Sequence, residues 1–397
     1  MYSRATTQNI ILFTVSIFIS YIAVEAGYRF YWYFKLRSSL VQALYELSVS
    51  AGDEHTTGTF DAKLGYRYFP NRVWENLGYL RTRWRTNQYG LIANDIDRSD
   101  YPIEKPTGEY RIALLGDSLT AGNAVYVRWA DLVQDYLNRS PGWRHFVGTK
   151  FTRVINFGMD GTGPVQWAPV YELEASRFSP DLVIVTIFTD DLTRDFVYRG
   201  RRKFASDLEM RAFIEAKVQT DLKRLPWFTL YPELIAATIG KKIGIRPRLQ
   251  PTTAILSERF PSQQIGIERS LVSLERIVCA GPRVIVMHIP VYEELTSDDA
   301  RRSPLRMLLK FFQPASGWTK LWTKFTAAAA ARDISIVEPA QRYSVPKDRQ
   351  ALNALYNLPI DPHLSDYGMV IFASWVYRYL LEWSNVATPA SRPGSCS

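Results

Sequence analysis

The chain is short of the residues that would mark a stapled or metal-bound fold. Its 397 residues include two cysteines, Cys279 and Cys396, and four histidines. Two cysteines cannot build a disulfide framework, and no Cys/His spacing fits a zinc module. Cys279 closes an apolar helical pattern and reads as a buried thiol, while Cys396 lies in a polar tail; their pairing stays open. Long runs of one charge are missing too. The formal net charge is +9, yet the densest basic groups are only Arg199, Arg201, Arg202 and Lys203, then Lys241 and Lys242. With no long basic stripe or RNA-binding signature, nucleic acid is not an expected partner. A solvated basic surface is a plainer reading than attraction to anionic lipid or an acidic polymer. Long disordered tracts are absent as well: 47% of the residues are hydrophobic and 22% charged, the composition of a folded globular protein.

Only one long apolar run occurs. "NIILFTVSIFISYIAV", residues 9–24, is uncharged and ends at Glu25. At about 1.5 Å per residue it falls short of a hydrocarbon core of roughly 30 Å. The aromatic "YRFYWYF", residues 28–34, extends it into the interface, where Tyr and Trp rings are favoured. The expectation is one transmembrane helix within an anchor spanning residues 1–37. A cleaved signal peptide, cut near Val24-Glu25-Ala26, is the runner-up. Arg4 lies before the run and Arg29, Lys35 and Arg37 after it, so a bare positive-inside count would put the body in the cytoplasm.

Residues 38–108 show no clear repeat but many aromatics and turn residues, and read as a neck or cap packed on the main domain. From residue 109 apolar strand-like runs alternate with helical patterns. The runs are "YRIALLG", "RVINFG", "DLVIVTIF", "RVIVMHIP" and "ISIVEP". Helical spacing relates Ile267, Leu271, Leu274 and Val278, then Trp318, Leu321, Trp322, Phe325 and Ala329, then Met369, Phe372, Ala373, Val376 and Leu380. This alternation predicts an α/β fold, a three-layer α/β/α sandwich with a parallel sheet, over residues 109–385. Residues 195–250 interrupt it with a basic, aromatic insertion, either a lid or substrate platform or a surface embellishment. Residues 386–397 read as a flexible tail.

In such sheets ligands bind beyond the carboxyl ends of the strands. There the chain places Gly116-Asp117-Ser118, then "NFGMDGTGP", then "FTDDLTRD", and before the last helix "IDPHLSDYG". A serine hydroxyl needs a base, a neutral imidazole is a suitable one, and that imidazole needs a carboxylate to fix its tautomer. His288 sits in an apolar strand and reads as a core residue; His55 and His145 lie in polar loops. Only His363 combines a nearby carboxylate, Asp361, with a loop position and a following helix. The candidates are therefore Ser118 as nucleophile, His363 as base and Asp361 as its orienter. A tight glycine turn can supply backbone N–H groups to an oxyanion. A serine at a strand-to-helix turn also feels the helix dipole.

These blocks resemble the SGNH, or GDSL, hydrolase superfamily. "LLGDSLTAG" is similar to its nucleophile block and "NFGMDGTG" to its glycine block, with Gly161 at the position of the N–H donor. "FTDD" falls at its third block and "DPHLSDYG" at its terminal Asp–His block. "LGYRYFPN" and "NQYGLIAND" look like the lead-in of membrane-anchored bacterial members. The resemblance implies a flavodoxin-like sheet and esterase or acyl-transfer chemistry through an acyl-enzyme. It also implies ester substrates on lipids, carbohydrates or peptidoglycan, and a body outside the cytoplasm. No cofactor or metal is implied. The G-x-S-x-G elbow of the other common serine fold is absent around Ser118.

Two departures stand out. The pair is spaced Asp361-Pro-His363, with Ile360 where the family more often has its aspartate, and Asp190 stands where the family places an asparagine. An ionised carboxylate about 4 Å from the oxyanion would cost about 4 kcal/mol at an effective dielectric of about 20. Three outcomes stand open. Asp190 is protonated and donates, or Thr189 or backbone N–H groups replace it, or the site is slow or dead. Asp190, Asp191 and Asp195 could instead hold a divalent metal, although Asp191 and Asp195 fit turn and cap roles better. The expected function is a membrane-anchored serine esterase or O-acyltransferase acting on an ester, O-acetyl foremost, of a cell-surface glycan or lipid-linked substrate. The competing class is a silent binding or scaffold protein on the same fold. Oligomeric state is not legible.

Overall fold

The computed structural model describes residues 12–24, 26–27, 58–61, 63–76, 82–122, 125–195, 260–280, 283–295, 316–346, 348–357 and 363–386. The aromatic extension at 28–34, the insertion beyond Asp195, Asp361 and the tail with Cys396 lie outside the described residues. Residues 12–24 form a helix whose Leu12, Phe13, Phe18, Ile19 and Val24 side chains are exposed. Among the described residues no helix is long and apolar enough to cross a membrane, so the expected spanning helix is not found there.

Two antiparallel hairpins come next: β1 (Gly58–Asp61) with β2 (Gly65–Tyr68), and β3 (Val73–Asn76) with β4 (Thr82–Arg85). The five apolar runs then form one parallel sheet of β5 (Glu109–Leu115), β6 (Phe151–Asn156), β7 (Leu182–Phe188), β8 (Val284–Ile289) and β9 (Ile336–Val337). Its spatial order is β6-β5-β7-β8-β9, the flavodoxin-like order. β7, LVIVTIF, is buried throughout, as a parallel strand covered on both faces requires.

Strand alternation splits the core in two. Ile112 and Leu114 face one layer, built from α2 (Trp129–Arg139), α3 (Pro141–Val147) and α10 (Asp366–Val386). Ala113 and Leu115 face the other, built from α4 (Pro164–Leu173), α5 (Gln263–Ala280) and α7 (Ser316–Ala330). Short helices α1 (Ser118–Ala121), α6 (Tyr292–Leu295), α8 (Pro339–Arg342) and α9 (Arg349–Ala354) complete the chain.

On α10, Met369, Phe372, Ala373, Val376 and Leu380 are buried, and Phe372 meets Trp129 edge-on at 5.2 Å between centroids. Each large apolar side chain there contributes about 1.5–3 kcal/mol. On α5 the inward stripe is Ile267, Leu271, Leu274 and Ile277; only at the last turn does Ile277 take the inward place expected of Val278, which is half-buried. Cys279 corrects the sequence reading more plainly. It is exposed on the last turn of α5 rather than a buried thiol.

The segment before β5 is tied to the sheet by polar contacts. Ile92 bridges to Asn156 at the end of edge strand β6. Arg111, fully buried, donates to the carbonyls of Ile103 (2.7 Å), Pro102 (2.8 Å) and Phe178 (2.9 Å).

Candidate active site

The chain leaves β5 toward β6 on one side and returns to β7 on the other, so β5 and β7 flank the switch point where open α/β sheets bind ligands. Gly116-Asp117-Ser118 lies there. A side chain at Gly116 would collide with the Thr120 and Thr186 hydroxyls, which hydrogen-bond each other. Asp117 caps α1, its Oδ1 accepting from Leu119 N at 2.9 Å. This places Ser118 at the first position of a single helical turn. Four residues align too few peptides for the dipole effect expected from the sequence.

Ser118 Oγ lies 2.7 Å from His363 Nε2 and 3.4 Å from Asp117 Oδ2. The tautomer of His363 decides which group donates: with Nε2 unprotonated, the hydroxyl donates to the imidazole. His363 is held from both sides. Asn357 N donates to its carbonyl at 2.8 Å, and Ser365 N donates to Leu355 O at 2.9 Å, pairing the loop with the end of α9. Asp366 then accepts from Tyr126 N (2.7 Å) and Val127 N (2.9 Å), tying the start of α10 to the loop after α1. Asp361, two residues upstream, lies outside the described residues.

The glycine block packs against the serine turn. Phe157 N donates to Leu114 O (2.9 Å) and Met159 N to Gly116 O (3.0 Å). A Cβ on Gly158 would strike the Ala121 backbone, so this turn lies directly against α1. Gly161 has φ +68, a left-handed conformation that favours glycine, with open space beside its Cα. Asn156 is structural, donating to Thr120 O at 2.7 Å and accepting from Gly158 N at 2.9 Å. Tyr68 of β2 reaches this block from outside the sheet, its hydroxyl accepting from Asp160 N at 3.0 Å.

The third block, Thr189–Thr193, is a 3₁₀ turn off the end of β7. Thr189 is fully buried and points away from Ser118. Its hydroxyl donates to Glu294 (2.9 Å) and lies 2.9 Å from His288 Nε2, which stacks on Trp322 at 3.6 Å. That commits the Thr189 side chain elsewhere, against its expected place among the oxyanion donors. His288 is the core residue its strand implied.

Asp190 faces a cation. Arg194 Nη2 donates to Asp190 Oδ2 at 3.2 Å, while Nη1 reaches Asp191 Oδ1 (2.9 Å), Asp117 Oδ2 (3.2 Å) and the Thr162 carbonyl (3.1 Å). Burial, with the Asp117 charge next and that of Asp190 adding, pushes the Asp191 carboxyl well above the usual range despite Arg194. These surroundings favour the protonated form of Asp191. It is wholly buried, and it accepts from Phe188 N at 2.9 Å. Asp195 lies half-buried at the end of the described stretch.

The structure thus joins Ser118 to His363, and joins the serine turn, the glycine turn and the third block through Arg194. Arg194 was missed in the sequence. Its signal was the spacing Asp190-x-x-x-Arg194, four residues apart on a helical turn.

No curated protein matches the chain. Among solved structures it is similar to a lipase/acylhydrolase from Enterococcus faecalis, at 16% identity over 71% of this chain and 99% of that one, with a TM-score of 0.37. A GDSL-like lipase from Bacteroides thetaiotaomicron shares 15% identity over 68% and 87%, with a TM-score of 0.33. A catalytic mutant of an acetylxylan esterase from Geobacillus stearothermophilus shares 14% over 71% and 96%, also at 0.33. Residues 112–278 match the sequence profile described as GDSL-like Lipase/Acylhydrolase, a stretch that includes Ser118, Gly161 and Asp190. Over that stretch the chain is similar to the GDSL-like lipases/acylhydrolases.

Proposed function

We propose that this chain is a serine esterase or O-acyltransferase that works through an acyl-enzyme on Ser118. The observation that carries the reading is the 2.7 Å contact between Ser118 Oγ and His363 Nε2. Ser118 Oγ attacks the ester carbonyl while His363 takes its proton. The tetrahedral intermediate collapses, His363 returns the proton to the leaving alcohol, and the acyl group stays on Ser118. An acceptor hydroxyl then repeats these steps in reverse: water makes the protein an esterase, a sugar hydroxyl a transferase. The N–H groups of Ser118 and Gly161 are the proposed oxyanion donors, and Asp361 the proposed acceptor for the second imidazole nitrogen.

The proposed substrate is an ester, O-acetyl foremost, of a cell-surface glycan or a lipid-linked molecule, handled outside the cytoplasm. The exposed apolar helix over 12–24 supports attachment to a membrane.

Fluorophosphonate labelling of the purified, folded chain, read by peptide mass spectrometry, tests the chemistry. Adduct is expected on Ser118 and none in Ser118→Ala. His363→Ala should slow labelling by about 10³-fold or more. A folded wild-type protein that takes no label would overturn the enzymatic reading in favour of a silent scaffold.

A further inference from the structure

We propose that Arg194 is a positioning residue that makes an aspartate workable at position 190, by cancelling its charge and locking three loops of the site in register. This inference rests on the acyl-enzyme reading. The local charge problem is visible in the distances. Asp117 Oδ2 lies 3.4 Å from Ser118 Oγ, the oxygen whose attack creates an oxyanion. Asp117, Asp190 and Asp191 all converge on one guanidinium, at 3.2, 3.2 and 2.9 Å. A bare carboxylate on Asp190 would add to the negative field in which the intermediate must form. Arg194 removes it without leaving the site, its side chain only 12% exposed.

The guanidinium also does what a point charge cannot. One terminal nitrogen holds Asp117 of the serine turn, Asp191 of the third block and the Thr162 carbonyl, next in sequence to Gly161. The other holds Asp190. A planar fork with fixed donors sets the spacing of these loops; an ammonium would satisfy some of the partners and leave others unmet. The two nearest candidates for oxyanion donors, the amides of Ser118 and Gly161, sit on the two turns that Arg194 connects. Arg194 thus offsets the Asp190 charge beside the reaction while the same guanidinium also faces Asp117.

This predicts an unusual mutational pattern. Hydrolysis of p-nitrophenyl acetate and the fluorophosphonate labelling rate would be measured on the full chain for wild type, R194M, R194K, D190N and the double variant D190N/R194M. R194M should lose about 100-fold or more in kcat with KM changed less than about threefold, the size of a lost oxyanion contact. R194K should fall between the two. D190N/R194M should recover at least about tenfold over R194M, because removing the anion removes the need for the cation. A purely structural Arg194 gives no such rescue.

A double variant no faster than R194M, or an R194M within about threefold of wild type, overturns the inference. If R194M gives no cooperative melt, the double variant is compared with D190N. Folded and within about tenfold of D190N supports the proposal; inactive or unfolded overturns it. Wild-type protein that takes no label on Ser118 sinks the acyl-enzyme reading and this one together. Labelled wild type without rescue sinks this one alone.

Discussion

At Asp191 three effects compete, and burial wins. The Phe188 amide and the Arg194 guanidinium favour the anion, but a wholly desolvated carboxyl beside Asp117 and Asp190 keeps its proton above the usual range. The stability consequence has a definite sign. A carboxyl whose folded pKa lies above its unfolded 3.8 keeps a proton that the unfolded chain releases, so stability falls as pH rises from 3.8 toward the folded value. Asp191→Asn keeps the acceptor for Phe188 N and removes the titration. Urea midpoints taken from about pH 5 to about pH 9 should fall less steeply in the variant than in wild type. Parallel curves would mean that Asp191 is ionised in the fold. At the glycine turn, Tyr68→Phe deletes the acceptor of the buried Asp160 N–H. A cost of about 1–3 kcal/mol is expected, together with slower labelling of Ser118 as the turn carrying Gly161 loosens. Unchanged stability and labelling would separate the β1–β2 hairpin from the site.

Among the elements, the strands and long helices were legible because their burial is written in the chain. LVIVTIF and the IALL end of β5 are largely apolar on both faces, the pattern of parallel strands under helices. The last turn of α5 shows the limit: Ile277 and Val278 are both apolar, and only packing chooses between them. The hairpins β1–β4 were not legible. Each spans four residues, with charged or polar side chains in the pattern, and their partners come from turns rather than from apolar periodicity. The serine and histidine loops could be read because their chemistry is local to short motifs. Arg194 could not, since its role appears only when three loops separated in sequence meet. Arg111 makes the same point for structure: a charged strand residue is fully buried, collecting carbonyls from residues 102–103 and 178. Replacing it with Met leaves those carbonyls and Glu109 short of a donor. Arg111→Met should therefore cost about 3 kcal/mol or more in urea unfolding and expose the 101–106 segment to trypsin. A loss below about 1 kcal/mol would show that the segment is held by its apolar contacts alone.

For the whole molecule the proposed membrane attachment can rest on either of two forces, and they make opposite predictions. The helix over 12–24 presents Leu12, Phe13, Phe18, Ile19 and Val24, each at least 60% exposed, an arrangement that costs free energy in water. The net charge of +9 offers the other route, attraction to anionic lipid. Screening separates them. Surface electrostatics act over about 10 Å at 0.1 M salt and only about 3 Å at 1 M, whereas burial of apolar side chains does not weaken with salt. If the N-terminal helix is the anchor, the full chain should float with uncharged phosphatidylcholine vesicles and stay bound in about 1 M salt. A chain lacking residues 1–37 should then remain in the aqueous fraction and still take label on Ser118. Binding confined to anionic vesicles and lost in high salt would assign attachment to the basic surface and leave the helix as a packing element for some other partner. Vesicle binding by the shortened chain in high salt would place the attachment elsewhere in the body.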